Sequence, residues 1–231
     1  IMLATPFGRT LTNYDNGETQ FFNGLLWQLQ PVEVRPTVRP AAAVSKMDVP
    51  ERDMFISAGV SVLLIVNLDS GTGKAVLDKA KAAGIATIDY DRLTLNGGAN
   101  YYVSFDNVAV GKLQGEGLVK CLTDLKASKP VVAELNGSPT DNNATLFKEG
   151  YDSILKPKYD SGDYTKGPDQ SVPDWDNAQG GTIFEQMYTE ADGDFVGVAS
   201  ANDGLGGAVI AVLDRNGQAG KIFATGQDAT D

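Results

Sequence analysis

The sequence predicts an α/β protein built on doubly wound parallel sheets. Three observations carry that reading. From about residue 56 onward, apolar runs of strand length alternate with runs of helical period. Val60–Val66 is apolar apart from Ser61, the pattern of a strand covered on both faces. Four apolar runs end in clusters of polar residues, and open parallel sheets bind ligands outside the carboxyl ends of their strands.

The start, Ile1-Met2-Leu3-Ala4-Thr5-Pro6, reads as a first strand. It lacks the basic stretch and long apolar stretch of a signal peptide. Residues 31–50 do not fit the fold class. A strand and a helix start belong there, and Pro31, Pro36, Pro40 and Pro50 oppose both. After Val60–Val66 comes the turn Asp69-Ser70-Gly71-Thr72-Gly73. A helix from Lys74 to Ala83 follows, with Val76, Leu77, Ala80 and Ala83 on one face and Gly84 as its stop.

Ile85–Tyr90 and Tyr101–Phe105 are the next strands, and Asp106-Asn107 suits the N-cap of a helix through Leu122. Pro130–Leu135 is a strand, and Asp141 suits the cap of a helix through Phe147, Tyr151 and Leu155. Asn177–Tyr188 reads as helix, Phe195–Ala201 as strand, Ala208–Asp214 as helix and Lys221–Thr225 as the last strand. That strand needs a covering helix, so the intact protein is expected to continue past Asp231.

Composition narrows the function. With 231 residues, 42% of them hydrophobic, the chain can form one large domain or two small ones with real cores. It carries 30 acidic and 19 basic residues, a net charge of −11, which repels phosphate backbones and anionic lipid. No nucleic-acid partner is expected. No stretch approaches the roughly 20 apolar residues of a membrane helix. The single cysteine, Cys121, allows no intrachain disulfide, and beside Leu118, Val119 and Leu122 it reads as a small buried hydrophobe. There is no histidine, which excludes Ser-His-Asp and Cys-His nucleophilic chemistry and removes the commonest zinc ligand. Neither metal nor cofactor is expected.

Several motifs imitate chemistry. Gly71-Thr72-Gly73-Lys74 follows a strand, but a phosphate loop needs Gly in place of Leu68 and Ser or Thr in place of Ala75. Gly204-Leu205-Gly206-Gly207 lacks dinucleotide spacing and reads as close helix packing. Glu190-Ala191-Asp192-Gly193-Asp194 lacks the length and closing glutamate of a calcium loop and reads as a solvated turn. Asn136-Gly137-Ser138 and Asn143-Ala144-Thr145 are formal glycosylation sequons, but both sit at a strand end, where a ligand role fits better.

The strand ends hold the informative set: Asp91-Arg92, Asn136 through Asn143, Asn202-Asp203 and Gln227-Asp228. Carboxylates, amides and a guanidinium can hydrogen-bond a small, neutral, polyhydroxylated molecule, and the set offers few reacting groups. Each residue also has a structural reading. Asp141 suits a cap, Asp91 and Arg92 a surface pair, Trp175 a core position and Asp228 a turn. Of Asn202 and Asp203, the first is assigned to the ligand and the second to the cap. Asn142 is expected to face solvent.

These residues resemble those of sugar-binding proteins of bacterial ABC importers, specifically the D-xylose-binding type within the ribose/galactose-like group. The resemblance covers about residues 56–231. It rests on Tyr90-Asp91-Arg92-Leu93, Tyr102-Val103-Ser104-Phe105-Asp106-Asn107, Asn136-Gly137-Ser138-Pro139-Thr140-Asp141-Asn142-Asn143-Ala144, Ala201-Asn202-Asp203-Gly204 and Thr225-Gly226-Gln227-Asp228-Ala229.

The resemblance implies two doubly wound lobes joined by a hinge, residues 1–105 and 106–231, both incomplete in this chain. It implies a monosaccharide held between the lobes: D-xylose, glucose or another aldose. Asp91 and Arg92 would come from the first lobe, and Asp141, Asn143, Asn202 and Asp228 from the second. Trp175 would lie flat against the sugar ring. The implied protein is a monomeric, non-catalytic receptor, periplasmic or lipid-anchored, that serves membrane permease subunits. In this family an early loop pairs an arginine with an aromatic. Here it reads Thr12-Asn13-Tyr14-Asp15, which leaves Arg9 to supply the base.

Two other functions fit the same architecture. A sugar-responsive transcription regulator would need a basic DNA-binding element, and none is visible. A glycoside hydrolase could pair Asp91, Asp141 and Asp228, but Arg and Asn neighbours hold carboxylates ionised and disfavour a general acid.

Overall fold

The structure, a computed structural model, describes residues 59–229 and the backbone of two N-terminal strands, β1 (Ala4–Thr12) and β2 (Thr19–Trp27). The chain divides into two units, residues 1–46 and 47–231. In the first, β1 and β2 pair antiparallel from Ala4↔Trp27 to Thr12↔Thr19. The expected first strand is therefore half of a hairpin, not part of a parallel sheet. The proline-rich stretch 31–50 and the loop Asn13–Asp15 lie outside the described residues.

The second unit holds two parallel sheets. One orders its strands β3 (Val62–Ile65), β4 (Ala86–Tyr90) and β5 (Tyr101–Val103). The helix α1 (Lys74–Ala82) joins β3 to β4. It ends as expected at Gly84, whose φ of +71° is the left-handed geometry that glycine adopts without a Cβ penalty. The Gly84 and Ile85 amides donate back to the Lys81 and Ala80 carbonyls, closing the last turn.

β3 departs from expectation. Leu63 is buried against α1, whereas Val62, Leu64 and Val66 are 52%, 59% and 49% exposed. Side chains alternate across a strand, and among the described residues α1 covers only the Leu63 side.

The other sheet orders its strands β7 (Thr165–Ser171), β6 (Val131–Asn136), β8 (Gly197–Ser200) and β9 (Phe223–Ala224). Four helices serve it: α2 (Asn107–Asp124), α3 (Asn142–Asp160), α4 (Asn177–Glu190) and α5 (Asp203–Arg215). After β6 the chain moves one way to β7, then returns across β6 to β8. That reversal makes the carboxyl ends of β6 and β8 a topological switch point, where doubly wound sheets bind ligands.

β6 shows why both faces fill. Val132 points to a cluster of Leu118, Leu122, Phe147, Tyr151 and Leu155 from α2 and α3. Ala133 and Leu135 point to the opposite cluster of Phe184, Met187, Leu205, Val209 and Val212 from α4 and α5. Each fully buried large side chain contributes roughly 1.5–3 kcal/mol.

Strand β7 escapes a sequence reading because Thr-Lys-Gly-Pro-Asp-Gln-Ser is polar and carries both strand breakers. It forms at the sheet edge, where Pro168 need not donate, and the pairing with β6 shifts register between Val132 and Glu134. Cys121 is half-buried, not the buried hydrophobe expected, because it sits at the margin of the α2 stripe rather than on the Leu118–Leu122 line.

Helices α2 and α3 cross where each presents glycine. A Cβ on Gly111 would stand 2.0 Å from the Phe147 carbonyl oxygen, and one on Gly150 would stand 2.3 Å from that of Val108. Both obstacles are backbone. Gly111→Ala is therefore expected to destabilise by about 2 kcal/mol, overpacking outweighing the ~1 kcal/mol gain in helix propensity. Thermal unfolding followed by circular dichroism checks this; an unchanged or raised midpoint would contradict the packing described.

Glu134 is the one charged member of β6, and its side chain is fully buried on the α3 side. Lys148 of α3 pairs with it, Tyr159 donates to it at 3.1 Å, and Lys166 approaches to 3.7 Å. Lys148 also reaches Asp169 at 2.9 Å, and Asn136 donates to Asp169 at 2.6 Å. Burial pushes the Glu134 carboxyl up, with the Lys148 ammonium opposing. Asp169 is held well below the usual carboxylate range because Lys166, Lys148 and Asn136 outweigh its burial.

Candidate functional site

The site begins with backbone. Asp91 follows β4 with φ +65°, and Asp228 follows β9 with φ +99°. Asp174 and Trp175, in the 3-10 turn Pro173–Trp175 after β7, have φ of +54° and +57°. These non-glycine residues sit in a costly region, and such strain concentrates where a fold presents side chains to a ligand.

The structure holds each in place. The Asp91 carbonyl accepts from Ser104 Oγ at 2.7 Å and Asn143 Nδ2 at 3.1 Å. The Asp174 amide donates to Ser138 Oγ at 3.2 Å. The Trp175 indole lies over Gly137, where a Cβ would stand 2.0 Å from the ring, and packs edge-on to Phe147 at 6.4 Å between centroids. Only glycine at 137 leaves room for that ring.

Asp141 is the centre of the arrangement. It is 2% exposed and caps α3 by accepting from the Asn143 amide at 2.9 Å, as expected. Its other oxygen forms an ion pair with Arg92, 3.0 Å from Nε, and accepts from Trp175 Nε1 at 2.9 Å. One carboxylate thus orients a guanidinium from the first sheet and an indole from the second. Arg92 also donates from Nη1 to the Leu68 carbonyl at 3.4 Å. The guanidinium carries five N–H donors, so donors remain for a ligand.

Asn143 is buried and committed on both sides. Its Oδ1 accepts from Asn107 Nδ2 at 2.9 Å, and its Nδ2 turns toward the Asp91 carbonyl and carboxyl. Asn136 is likewise 4% exposed, so neither sequon asparagine has room for a glycan.

Asn202, not Asp203, caps α5. Its Oδ1 accepts from the Leu205 amide at 2.9 Å, and its Nδ2 donates to Asp228 at 3.3 Å. An Ncap residue precedes the first helical residue, which places the role one position earlier than expected. Burial raises the Asp91 carboxyl above its usual range, with Arg92 opposing and Asp141 adding to the rise. Burial also raises Asp228, opposed by the Asn202 hydrogen bond and reinforced by the Asp203 charge.

One cavity of about 540 Å³ gathers these groups, within the ~300–1,000 Å³ of small-molecule sites. Asp91, Arg92, Asp141, Asn143, Trp175, Asn202 and Asp228 all line it. Asn142 does not. Phe105, Asn107, Phe147 and Gln227 also line it. Sequence reading gave Asn107 to capping and placed Phe147 only within a helix. The available signal was a polar residue opening a helix at a strand's carboxyl end. Arg9 lies in β1, and its side chain is outside the described residues. Among the described residues, no acidic or cysteine cluster could hold a metal ion, and no helix is long and apolar enough to cross a membrane.

The pattern of the periplasmic binding protein domain matches residues 42–231. The chain belongs to the periplasmic binding protein family. Among its relatives, the D-xylose-binding periplasmic protein of Escherichia coli K12 is 35% identical over 175 residues, spanning 76% of this chain and 52% of that protein. The multiple sugar-binding periplasmic receptor of Rhizobium radiobacter is 38% identical over 171 residues, 69% of this chain and 48% of that one. A crystal structure of an ABC transporter solute-binding protein from Clostridium phytofermentans, with bound β-D-glucose, superposes with a TM-score of 0.72 at 30% identity. That match covers 79% of this chain and 60% of the other. This family member thus spans about half the length of the curated relatives it matches.

Proposed function

We propose that the cavity binds a monosaccharide, D-xylose, D-glucose or another aldose, without altering it. The protein would release this ligand to ABC permease subunits as a periplasmic or lipid-anchored monomer. The observation that carries this reading is Asp141, whose oxygens are shared by a cap amide, a guanidinium and an indole. With these donors placed on it, the carboxylate is arranged to accept hydrogen bonds. Sugar hydroxyls both donate and accept, so Arg92, Asp91, Asn202 and Asp228 can satisfy them, and Trp175 offers an apolar face to the ring.

Relatives named for D-xylose and structures holding D-glucose or D-allose support the class of ligand. In this reading residues 1–105 and 106–231 belong to two lobes that close on the sugar. Ligand stabilises the closed form by its differential affinity.

Calorimetric titration with D-xylose, D-glucose, D-galactose, L-arabinose and D-ribose tests the proposal. Saturable 1:1 binding of at least one, with the sugar recovered unchanged, is expected. No heat with any of the five would refute it. Affinity should also depend on pH. Hydroxyl donation favours ionised Asp91 and Asp228, so binding releases protons. Because both carboxyls are raised above 3.8, affinity should begin to fall on acidification while the pH is still above that value. An affinity that is constant or rises as pH drops through this window would contradict their role as acceptors.

A further inference from the structure

Ser70 makes contacts that the cavity does not explain. It lies in the turn after β3, is 1% exposed and is not part of the cavity lining. Its carbonyl accepts from the Leu95 amide at 2.7 Å, which anchors it within its own sheet's loops. Its amide donates to the Thr140 carbonyl at 3.0 Å, and its hydroxyl accepts from the Asn142 amide at 3.0 Å.

Thr140 and Asn142 flank Asp141 at the start of α3. The first amides of a helix have no partner within it. Asp141 satisfies the Asn143 amide from the same chain segment, while the Asn142 amide is satisfied from the other sheet. Asp69 shapes the donor loop, accepting from the Gly71 amide at 2.8 Å. By contrast, the Arg92–Asp141 and Asn143–Asp91 contacts join residues that line the cavity.

We propose that Ser70 is a positioning residue that latches the two sheets in their closed arrangement and thereby sets ligand residence time. This rests on the sugar-receptor reading for its ligand. The two bonds form only when the β3–α1 turn meets the α3 start. They add to the stability of the closed form whatever fills the cavity. Losing the hydroxyl leaves the Asn142 amide unpaired in the closed state and returns it to water in the open one. The open form gains population, and a bound sugar escapes faster.

The test uses the full chain as wild type, Ser70→Ala and Ser70→Thr. Stopped-flow fluorescence with D-xylose and D-glucose measures association and dissociation. In parallel, Cys121→Ser chains carrying nitroxides at Lys81→Cys and Glu190→Cys report the distance between sheets by pulsed electron resonance without sugar. Ser70→Ala should dissociate sugar about 3- to 10-fold faster with association nearly unchanged. It should also populate longer distances, and Ser70→Thr should restore both. Unchanged dissociation, a loss confined to association, or unchanged distances would overturn the latch. Should neither sugar bind the wild type while Ser70→Ala still lengthens the distances, the latch stands and the sugar reading falls. With neither binding nor lengthening, both fall.

Discussion

Asp141→Ala is expected to weaken binding of the preferred aldose about 100-fold or more, the largest loss at any single position of the cavity. The substitution removes an ionised acceptor and also releases its two orienting contacts, to Arg92 at 3.0 Å and Trp175 at 2.9 Å. The Arg92 side chain, 18% exposed, would lose its nearest counter-charge. A charge-assisted hydrogen bond is worth ~1.5–3 kcal/mol, and each 1.4 kcal/mol is tenfold in affinity. The lost cap should add a stability cost of about 1 kcal/mol. Asp141→Asn separates the two effects, since an amide oxygen can still cap α3. It should melt close to wild type and still bind poorly. Calorimetry with parallel thermal unfolding reads both, and an Asp141→Asn variant of undiminished affinity would contradict the central role given to the charge.

The largest stability loss is expected at Lys148. Lys148→Met leaves Glu134, buried at 0% exposure, without its nearest cation. Breaking one side of a buried ion pair costs about 3–5 kcal/mol. The lower end applies, because Lys148 is itself 31% exposed and Lys166 remains 3.7 Å from Glu134. A fall in melting temperature of roughly 6–12 °C follows for a domain of this size. Glu134→Leu with Lys148→Met should recover most of it, since an apolar pair of similar volume removes the stranded charge. If the double variant melts as low as the single one, or if the single variant melts as wild type, the ionic account of this network is wrong.

The parts of the fold that were readable share a physical cause. Pro130–Leu135 and Phe195–Ala201 are strands covered on both faces, so their runs are mostly apolar, and polar residues mark their ends as they do after Ile85–Tyr90. Asp106, Asp141 and Gly84 announce helix ends because capping is local chemistry. Where neighbours decide, the sequence was mute. β7 is a strand only because β6 offers an edge to a polar segment. The second face of β3 depends on what lies over it, which no run of Val and Leu encodes. The antiparallel partnership of β1 with β2 was invisible for the same reason.

The cavity residues divide likewise. The six read from strand ends all line it, because topology carries the ends of parallel strands to one rim, and Trp175, assigned from the family resemblance, lines it too. The cap of α5 fell to Asn202, which also lines the cavity because a helix start can cap and face a cavity at once, and Asn107 and Phe147 join the lining from α2 and α3. Glu134 lay hidden in an apolar run and the role of Ser70 in an ordinary turn. Both depend on partners 14 or more positions away.

A crystal structure of the chain grown with D-xylose or D-glucose, whichever binds tighter, tests the account most directly. One sugar ring is expected against the Trp175 indole, its hydroxyls within hydrogen-bond distance of Arg92, Asp141 and Asn202. A sugar bound elsewhere, or a cavity left to solvent at saturating sugar, would contradict it.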